Sequence, residues 1–358
     1  MTPVERFHRL MRFEKVERPP RWETLGFWQE TIDGWRGERK LSQDWDPHKY
    51  YELEDRPMLP GNTGFTSIPY NPPFEEKVIA REEGTTVYQN AAGIIYRALP
   101  GTAHMPQWLK FPVETPEDWK RVKHRIDPRT HDYGNFEEEK KKFHENPDPN
   151  GLYLCGLYGF YRSLMGEVNL AYAFYDFPEI IRDMGKCWLR LNAEMGERII
   201  RETRTDFVMF CWEDMAFKNG PLIGPSLFSE FMTPFYRELT SHYRNLGGGV
   251  FMVDSDGNND VLIPLFREIG INVMLPFEVA ADSDVRKVRK LYPDLVIWGG
   301  LDKRLLNGSK DGIKREVMSK VPEMWEKGGY MPCLDHSTPP CPIENWEYYL
   351  NLVRSLFK

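Results

Sequence analysis

From residue 150 onward, short apolar runs alternate with longer segments of helical periodicity, and this alternation limits the folds that the chain can adopt. The apolar runs are Leu152–Leu157, Phe207–Trp212, Val250–Val253, Val273–Leu275, Leu295–Trp298 and Tyr330–Met331. The helical segments are 178–203, 225–246, 258–269, 282–292, 309–327 and 342–357. Alternating strands and helices predict a parallel sheet, and a chain of 358 residues has the length of an α/β TIM barrel. An open doubly wound sheet is the alternative, but the sequence lacks the GxGxxG and GxxxxGKS/T motifs that would favour it.

The N-terminal third does not follow this alternation. We predict a helix over residues 4–15, a first strand that opens over Arg21–Thr24, and a helix over Pro112–Arg125 with Thr115 as its N-cap. Residues 40–112 are rich in proline and glycine, and they contain three strand-like runs separated by turn signals. These runs are Lys77–Arg81, Thr85–Gln89 and Ile94–Ala98. The pattern predicts an antiparallel β meander inserted near the N-terminus of a single domain spanning residues 1–358.

Composition excludes several classes of partner. The net charge is −7 and basic residues do not form a stripe with aromatic ones, so we expect no nucleic-acid binding. The sequence has no apolar stretch near the roughly 20 residues that span a bilayer, and its beginning lacks the apolar core of a signal peptide. The five cysteines include no CxxC pair, which favours reduced thiols. We therefore expect a cytoplasmic protein without membrane contact.

Acidic residues follow five successive apolar runs. They are Glu213 and Asp214, then Asp254 and Asp256, then Glu278, then Asp302, and finally Asp335 beside His336. In a barrel these positions converge on one mouth, where catalytic residues characteristically lie. A single acid after a strand often only caps the next helix, and this alternative is open for Asp214 and Asp302. Because five strand ends carry acids, we predict a catalytic site with Asp254, Asp256, Glu213 and His336 as its acid–base groups.

Several carboxylates in one cleft repel each other and raise one another's pKa unless a cation lies among them. The cluster therefore contains either general acids and bases or a bound metal ion. His336 is the one histidine at a predicted strand end, and Cys333 and Asp335 lie close to it in sequence. These side chains suit either a metal site or a proton carrier.

Several segments resemble the uroporphyrinogen decarboxylase superfamily. They are ERPPRWE, WEDMAFKNGPLIGPSLFSEFMTPFYREL, FMVDSDGNNDVLIPLFREIGINVMLPFEVAADSDV, LVIWGGLDKRLL and GGYMPCLDHSTPP. The decarboxylases of this superfamily act without cofactors and bind substrate carboxylates through a Gln-Ala-Gly-Arg-Tyr element. The corresponding stretch here, Arg21–Trp28, is acidic and aromatic, which disfavours a porphyrinogen substrate.

The resemblance is closer to the corrinoid-dependent methyltransferases and O-demethylases of the same superfamily. Those enzymes bind zinc through a His-x-Cys pair and a later cysteine. Here Asp254-x-Asp256 stands in place of that pair, and Cys333 lies near the later cysteine. A zinc site of Asp254, Asp256, Cys333 and His336 is therefore expected from the resemblance, with a metal-free site as the alternative. Carboxylate groups suit an oxygen-bearing substrate better than a thiol.

The resemblance implies a methyltransferase that moves a methyl group from a methoxylated substrate, aromatic compounds included, to the cobalt of a separate corrinoid protein. The chain has no Asp-x-His-x-x-Gly element, so we expect the cobalamin to arrive on that partner. The residues predicted to bind the small-molecule substrate are Trp22, Glu23, Phe27, Trp28, Tyr158, Asn258 and Glu278. The alternatives are a cofactor-free decarboxylase acting on another carboxylic acid and a non-catalytic binding barrel. Dimers are common in the families that the chain resembles, so a homodimer is a possible assembly.

Overall fold

The computed structural model describes residues 1–55, 58–60, 70–82, 84–98, 106–130 and 136–357, with only the backbone described at 58–60 and 82. The helices are α1 Pro3–Met11, α2 Gln29–Arg39, α3 Pro47–Tyr50, α4 Pro116–Val122, α5 Phe136–Glu145, α6 Leu157–Asp176, α7 Pro178–Glu202, α8 Pro225–Phe231, α9 Thr233–Asn245, α10 Ile263–Glu268, α11 Val285–Leu291, α12 Lys310–Glu326 and α13 Ile343–Ser355. The strands are β1 Met58–Pro60, β2 Lys77–Glu82, β3 Thr85–Gln89, β4 Ile95–Ala98, β5 Gln107–Lys110, β6 Gly151–Cys155, β7 Phe207–Cys211, β8 Ala216–Phe217, β9 Gly220–Pro221, β10 Phe251–Asp254, β11 Val273–Leu275, β12 Val296–Trp298 and β13 Tyr330–Met331.

Seven strands form the main sheet, in the order β1-β6-β7-β10-β11-β12-β13. Every neighbouring pair in this sheet is parallel. From β6 onward, at least one helix lies between each strand of this sheet and the next. This arrangement confirms the predicted α/β fold, and it places the carboxyl ends of all seven strands on one side of the sheet.

The predicted first strand at Arg21–Thr24 is wrong, and no hydrogen-bonded ladder closes the ring among the described residues. Residues 21–28 nevertheless lie between the two edges of the sheet. Glu54 N donates to Arg21 O at 3.0 Å on one side, and Thr338 N donates to Gly26 O at 2.8 Å on the other. A ladder does not form because Pro19 and Pro20 lack an N–H group and Gly26 turns the chain at φ +75°.

The predicted meander is present as a separate antiparallel sheet in the order β2-β3-β4-β5. Its first three strands agree with the three runs identified in the sequence, and β5 is an additional strand. The strand was missed because all four of its residues are exposed, so it shows no alternation of buried and exposed positions.

The helices also depart from expectation at three places. The segment 225–246 divides into α8 and α9 at Met232, and the segment 258–269 forms helix only over α10. Helix α6 was not predicted, since Gly166 interrupts its periodicity with a φ of +71°. The expected helix over Pro112–Arg125 is confirmed as α4, and Thr115 caps it.

Two apolar cores flank the main sheet. The larger core lies between the strands and the surrounding helices. The smaller core contains inward-facing residues such as Met209, Met252 and Trp298 together with Trp22, whose ring centroid is 5.3 Å from that of Trp298. The inner space is thus packed with side chains, as in barrel folds generally, and chemistry is left to the loops at the strand ends. Among the described residues, every helix is too short or too polar to cross a membrane.

Candidate active site

The loops after β7, β10, β11 and β13 are joined by hydrogen bonds at the carboxyl end of the sheet. Asp256 N donates to Asp214 Oδ1 at 3.2 Å, and Gly257 N donates to Glu278 Oε2 at 3.0 Å. Asp335, which is almost fully buried, accepts from Val279 N at 2.8 Å and from Lys303 N at 3.0 Å. The acids that follow these strands therefore come together at one rim.

Asp256 and His336 form the central contact of this rim. Asp256 Oδ2 lies 3.4 Å from His336 Nε2, and Ser337 N donates to His336 Nδ1 at 2.7 Å. In the neutral ring, Nδ1 accepts this hydrogen bond and the proton lies on Nε2, where it faces Asp256. Burial alone would lower the pKa of His336, but the hydrogen bond and the negative charge of Asp256 outweigh it and raise that pKa. His336 is therefore a proton donor.

Asp254 is buried at the last position of β10, beside this pair. Burial, followed by the charges of Asp214 and Asp256, raises the pKa of Asp254 to about 8. The nearby His336 and a hydrogen bond from the Trp212 backbone reduce this effect without cancelling it. At neutral pH the Asp254 side chain is mostly an uncharged carboxylic acid, so the rim holds a second proton donor.

Glu213 does not reach the rim, which corrects its predicted catalytic role. Its side chain is fully buried, Tyr236 donates to Oε1 at 2.6 Å, and Gly159 N donates to Oε2 at 3.0 Å. Burial raises the pKa of Glu213 to about 7, and these hydrogen bonds oppose the increase. Glu213 joins the beginning of α6 to α9 and has no surface through which to contact a substrate.

Two ion pairs occupy the outer part of the rim. Lys303 Nζ lies 3.2 Å from Glu278 Oε1, and Arg162 Nη2 lies 3.0 Å from Asp214 Oδ2. The sequence analysis predicted a substrate contact for Glu278 but gave no role to the two cations. Asp302, for which capping was an open alternative, accepts from Arg304 N at 3.0 Å and caps the short helical turn that follows.

The structure corrects most of the predicted substrate-binding residues. Trp22 packs in the inner core, and Tyr158 and Glu23 are buried. Phe27 packs against rings of α2 and α13, with its centroid 5.1 Å from that of Trp346. The Asn258 amide donates to Ala281 O at 3.0 Å and so holds its own loop. These assignments failed because they depended on side-chain directions that the sequence does not specify.

Two exposed tryptophans belong to segments that reach the carboxyl end. Trp28 was predicted to bind substrate. Its side chain is 46% exposed, and its backbone N–H donates to Thr338 O. Trp212 was missed, because it was counted as the last residue of a strand. It is 40% exposed and has a φ of +60°, an uncommon conformation for a bulky residue that is often found at functional sites.

The four side chains predicted to bind zinc do not form a common ligand set. Cys333 is buried in the inner core, where its Sγ lies 3.0 Å from Thr24 Oγ1. Within the described ranges, no three His, Cys, Asp or Glu side chains are arranged to hold a metal ion. The residues therefore do not fit zinc, and we derive no step through it.

Comparison with known proteins gives a partial family match and structural likenesses. The family model of uroporphyrinogen decarboxylase (URO-D) matches residues 190–356. A methyltransferase from Methanosarcina mazei has a similar structure, with a TM-score of 0.57 and 14% sequence identity over 100% of both chains. A B12-independent methionine synthase from Shewanella sp. aligns with a TM-score of 0.37 and 11% identity over 94% of this chain and 91% of that one. No curated protein matches the sequence significantly. The family match is confined to residues 190–356, and the overall fold is similar to that of the Methanosarcina mazei methyltransferase.

Proposed function

We propose that the chain is a methyltransferase that takes the methyl group of a methoxylated compound and passes it to the cobalt of a separate corrinoid protein. The observation that carries this proposal is the uncharged carboxyl of Asp254 beside the Asp256–His336 pair. The likeness to a methyltransferase fold supports it, although at 14% identity that likeness concerns the fold alone.

Methyl transfer from an ether requires a proton donor. When the O–CH3 bond breaks, its electron pair stays on oxygen, and an alkoxide or phenoxide leaves poorly unless it is protonated. Asp254 is mostly protonated near neutral pH, and Asp256 favours the protonated form of His336 because it raises the pKa of that ring. The corrinoid of the partner would supply the nucleophile that accepts the methyl group.

The other rim residues position the donor. The Lys303–Glu278 and Arg162–Asp214 pairs are each neutral overall, so they fix the loops without attracting a strongly charged substrate. Trp28 and Trp212 provide exposed aromatic surface at the carboxyl end of the sheet. A neutral compound with an apolar or aromatic body suits this combination.

The experiment is incubation with cob(I)alamin and a panel of methoxyarenes, followed by measurement of the phenol released and of methyl transfer to cobalt. We expect the wild-type chain to demethylate at least one compound and Asp254→Asn to lose at least about 100-fold in rate, because a general acid contributes about that factor or more. Asp183→Asn is the matched control, since Asp183 pairs with Lys123 outside the rim. Absence of both products across the panel would exclude this activity for the compounds tested.

A cofactor-free decarboxylase acting on another carboxylic acid is the second candidate. The family match favours it, since the matched model is that of a decarboxylase. In such a reaction the C–C bond breaks, CO2 leaves, and Asp254 or His336 gives its proton to the carbanion that remains. Release of CO2 from a panel of carboxylic acids without any corrinoid, together with no methyl transfer, would establish this alternative.

A further inference from the structure

A cavity of about 510 Å³ lies beside the first segment of the chain, away from the rim acids. One wall contains Arg18 and Arg21, and the other contains Arg354 near the end of α13. Its described lining includes none of the acids or the histidine of the rim. We propose that this cavity binds a small organic anion, namely a carboxylate with an apolar body.

The charge of the lining points to an anion. Glu23 is the one carboxylate among the described residues that line the cavity, against three arginines. Arg18 pairs with Glu54 and Arg21 pairs with Glu52, both from the segment that precedes β1. A guanidinium has five N–H donors, so the two paired groups keep donors for a ligand, and the third group, that of Arg354, forms no ion pair among the described residues.

Arg354 is the arginine without an acidic partner. Among the described residues it forms no ion pair, its Nη2 donates to the carbonyl of Tyr51, and its buried Nε has no hydrogen-bond partner. Burial lowers the pKa of Arg354, and the charges of Arg21 and Arg18 add to that effect, whereas the charges of Glu52 and Glu23 oppose it. The guanidinium of Arg354 can donate charge-assisted hydrogen bonds to a carboxylate bound in the cavity.

The remaining surface requires an apolar body on the ligand. Leu350, Val353 and Phe357 from the end of the chain face the cavity together with Pro332. A free inorganic ion would leave these groups in contact with water, whereas an alkyl or aryl chain would cover them. The volume also lies in the range of small-molecule sites. The site therefore favours a ligand that has both a carboxylate and an apolar chain.

The experiment measures hexanoate binding to the full chain by isothermal titration calorimetry. Acetate tests the head group alone, and hexan-1-ol tests the tail alone. We expect hexanoate to bind at least about tenfold more tightly than either one, and Arg354→Gln to weaken hexanoate binding about tenfold or more. Arg237→Gln is the control, since Arg237 pairs with Glu268 on a distant surface and should leave binding unchanged.

The proposal is overturned if hexanoate does not bind below about 10 mM, if hexan-1-ol binds equally well, or if Arg354→Gln binds hexanoate like the wild type. Should Arg354→Gln fail to fold, Arg21→Gln decides the question. Its side chain is one-third exposed, and within the described ranges it pairs with the exposed Glu52 alone, so this variant should fold and bind hexanoate more weakly. Unchanged affinity in folded Arg21→Gln would then reject the site.

Discussion

Asp256 Oδ2 and His336 Nε2 lie 3.4 Å apart, although they follow different strands of the sheet. The other ring nitrogen of His336 accepts the backbone N–H of the next residue, so this histidine directs its one proton toward the carboxylate. Asp256 Oδ1 is buried without a hydrogen-bond partner among the described residues, whereas the Asp256 side chain as a whole is about one-third exposed. The pair therefore determines the protonation state of the rim.

Replacement of Asp256 by asparagine should lower the pKa of His336. Burial disfavours the charged ring, and the hydrogen bond and charge of Asp256 are what raise its pKa, so their loss leaves the effect of burial unopposed. Titration of the His336 ring resonance by NMR measures this directly. Asp183→Asn should leave the same titration unchanged, and an unaltered His336 pKa in Asp256→Asn would contradict the role of the pair.

The buried acid Asp254 should make folding stability depend on pH. Its pKa is about 8 in the folded protein and about 4 in an unfolded chain, so between these values the folded state binds more protons. The free energy of unfolding should therefore fall as the pH rises from about 4 to about 8. Asp254→Asn cannot ionise, so its urea unfolding should lose part of this dependence, on the order of a few kcal/mol across the range.

Glu213 contributes to the same trend over a narrower range, because its pKa is raised only to about 7. Asp254→Asn should accordingly retain some loss of stability between about pH 4 and 7. Parallel pH profiles for Asp254→Asn and the wild type would show that Asp254 is ionised in the folded state. That result would also remove it as a proton donor.

The meeting of Asp254, Asp256 and His336 was predictable, because the ends of parallel strands lie on one side of a sheet. The inward position of Cys333 was predictable too, since residues two apart in an extended segment face the same way and Met331 lies in the inner core. Phe27 was not predictable. It follows Gly26, whose positive φ turns the chain, and nothing in the sequence states that angle.

Tyr236 was missed for a different reason. It lies within α9, far from any strand end, and reaches Glu213 through packing between helices and sheet. Contacts of this kind depend on how elements meet in three dimensions, so no local pattern records them. Sequence reasoning therefore located the rim acids well but could not separate the buried Glu213 from the partly exposed Asp256.

Replacement of Tyr236 by phenylalanine should destabilise the protein without removing any apolar volume. The Tyr236 hydroxyl donates to Glu213 and also accepts from Leu157 N at 2.9 Å, so two buried groups lose their partner. We expect a loss of about 1–3 kcal/mol in the free energy of unfolding, measured with urea. Tyr172→Phe is the control, because Tyr172 is exposed on α6 and should change stability little. Equal stability of the two variants would contradict the role given to Tyr236.

The last prediction concerns Gly156, which precedes α6 and lies against Glu213. A Cβ atom at this position would stand 2.1 Å from Glu213 Oε2, closer than real Cβ contacts occur. Gly156→Ala must therefore displace the buried Glu213 carboxylate, which accepts hydrogen bonds from Tyr236 and Gly159. We expect the free energy of unfolding to fall by at least about 2 kcal/mol. Gly34→Ala is the matched control, since Gly34 lies in α2 with no atom within 4 Å of an added Cβ. The free energy of unfolding of Gly34→Ala should rise by up to about 1 kcal/mol, because alanine has the higher helix propensity. The urea midpoints of the two variants should therefore shift in opposite directions. If Gly156→Ala is as stable as the wild type, Glu213 can move at no cost in stability. That result would contradict the role given to its hydrogen bonds with Tyr236 and Gly159.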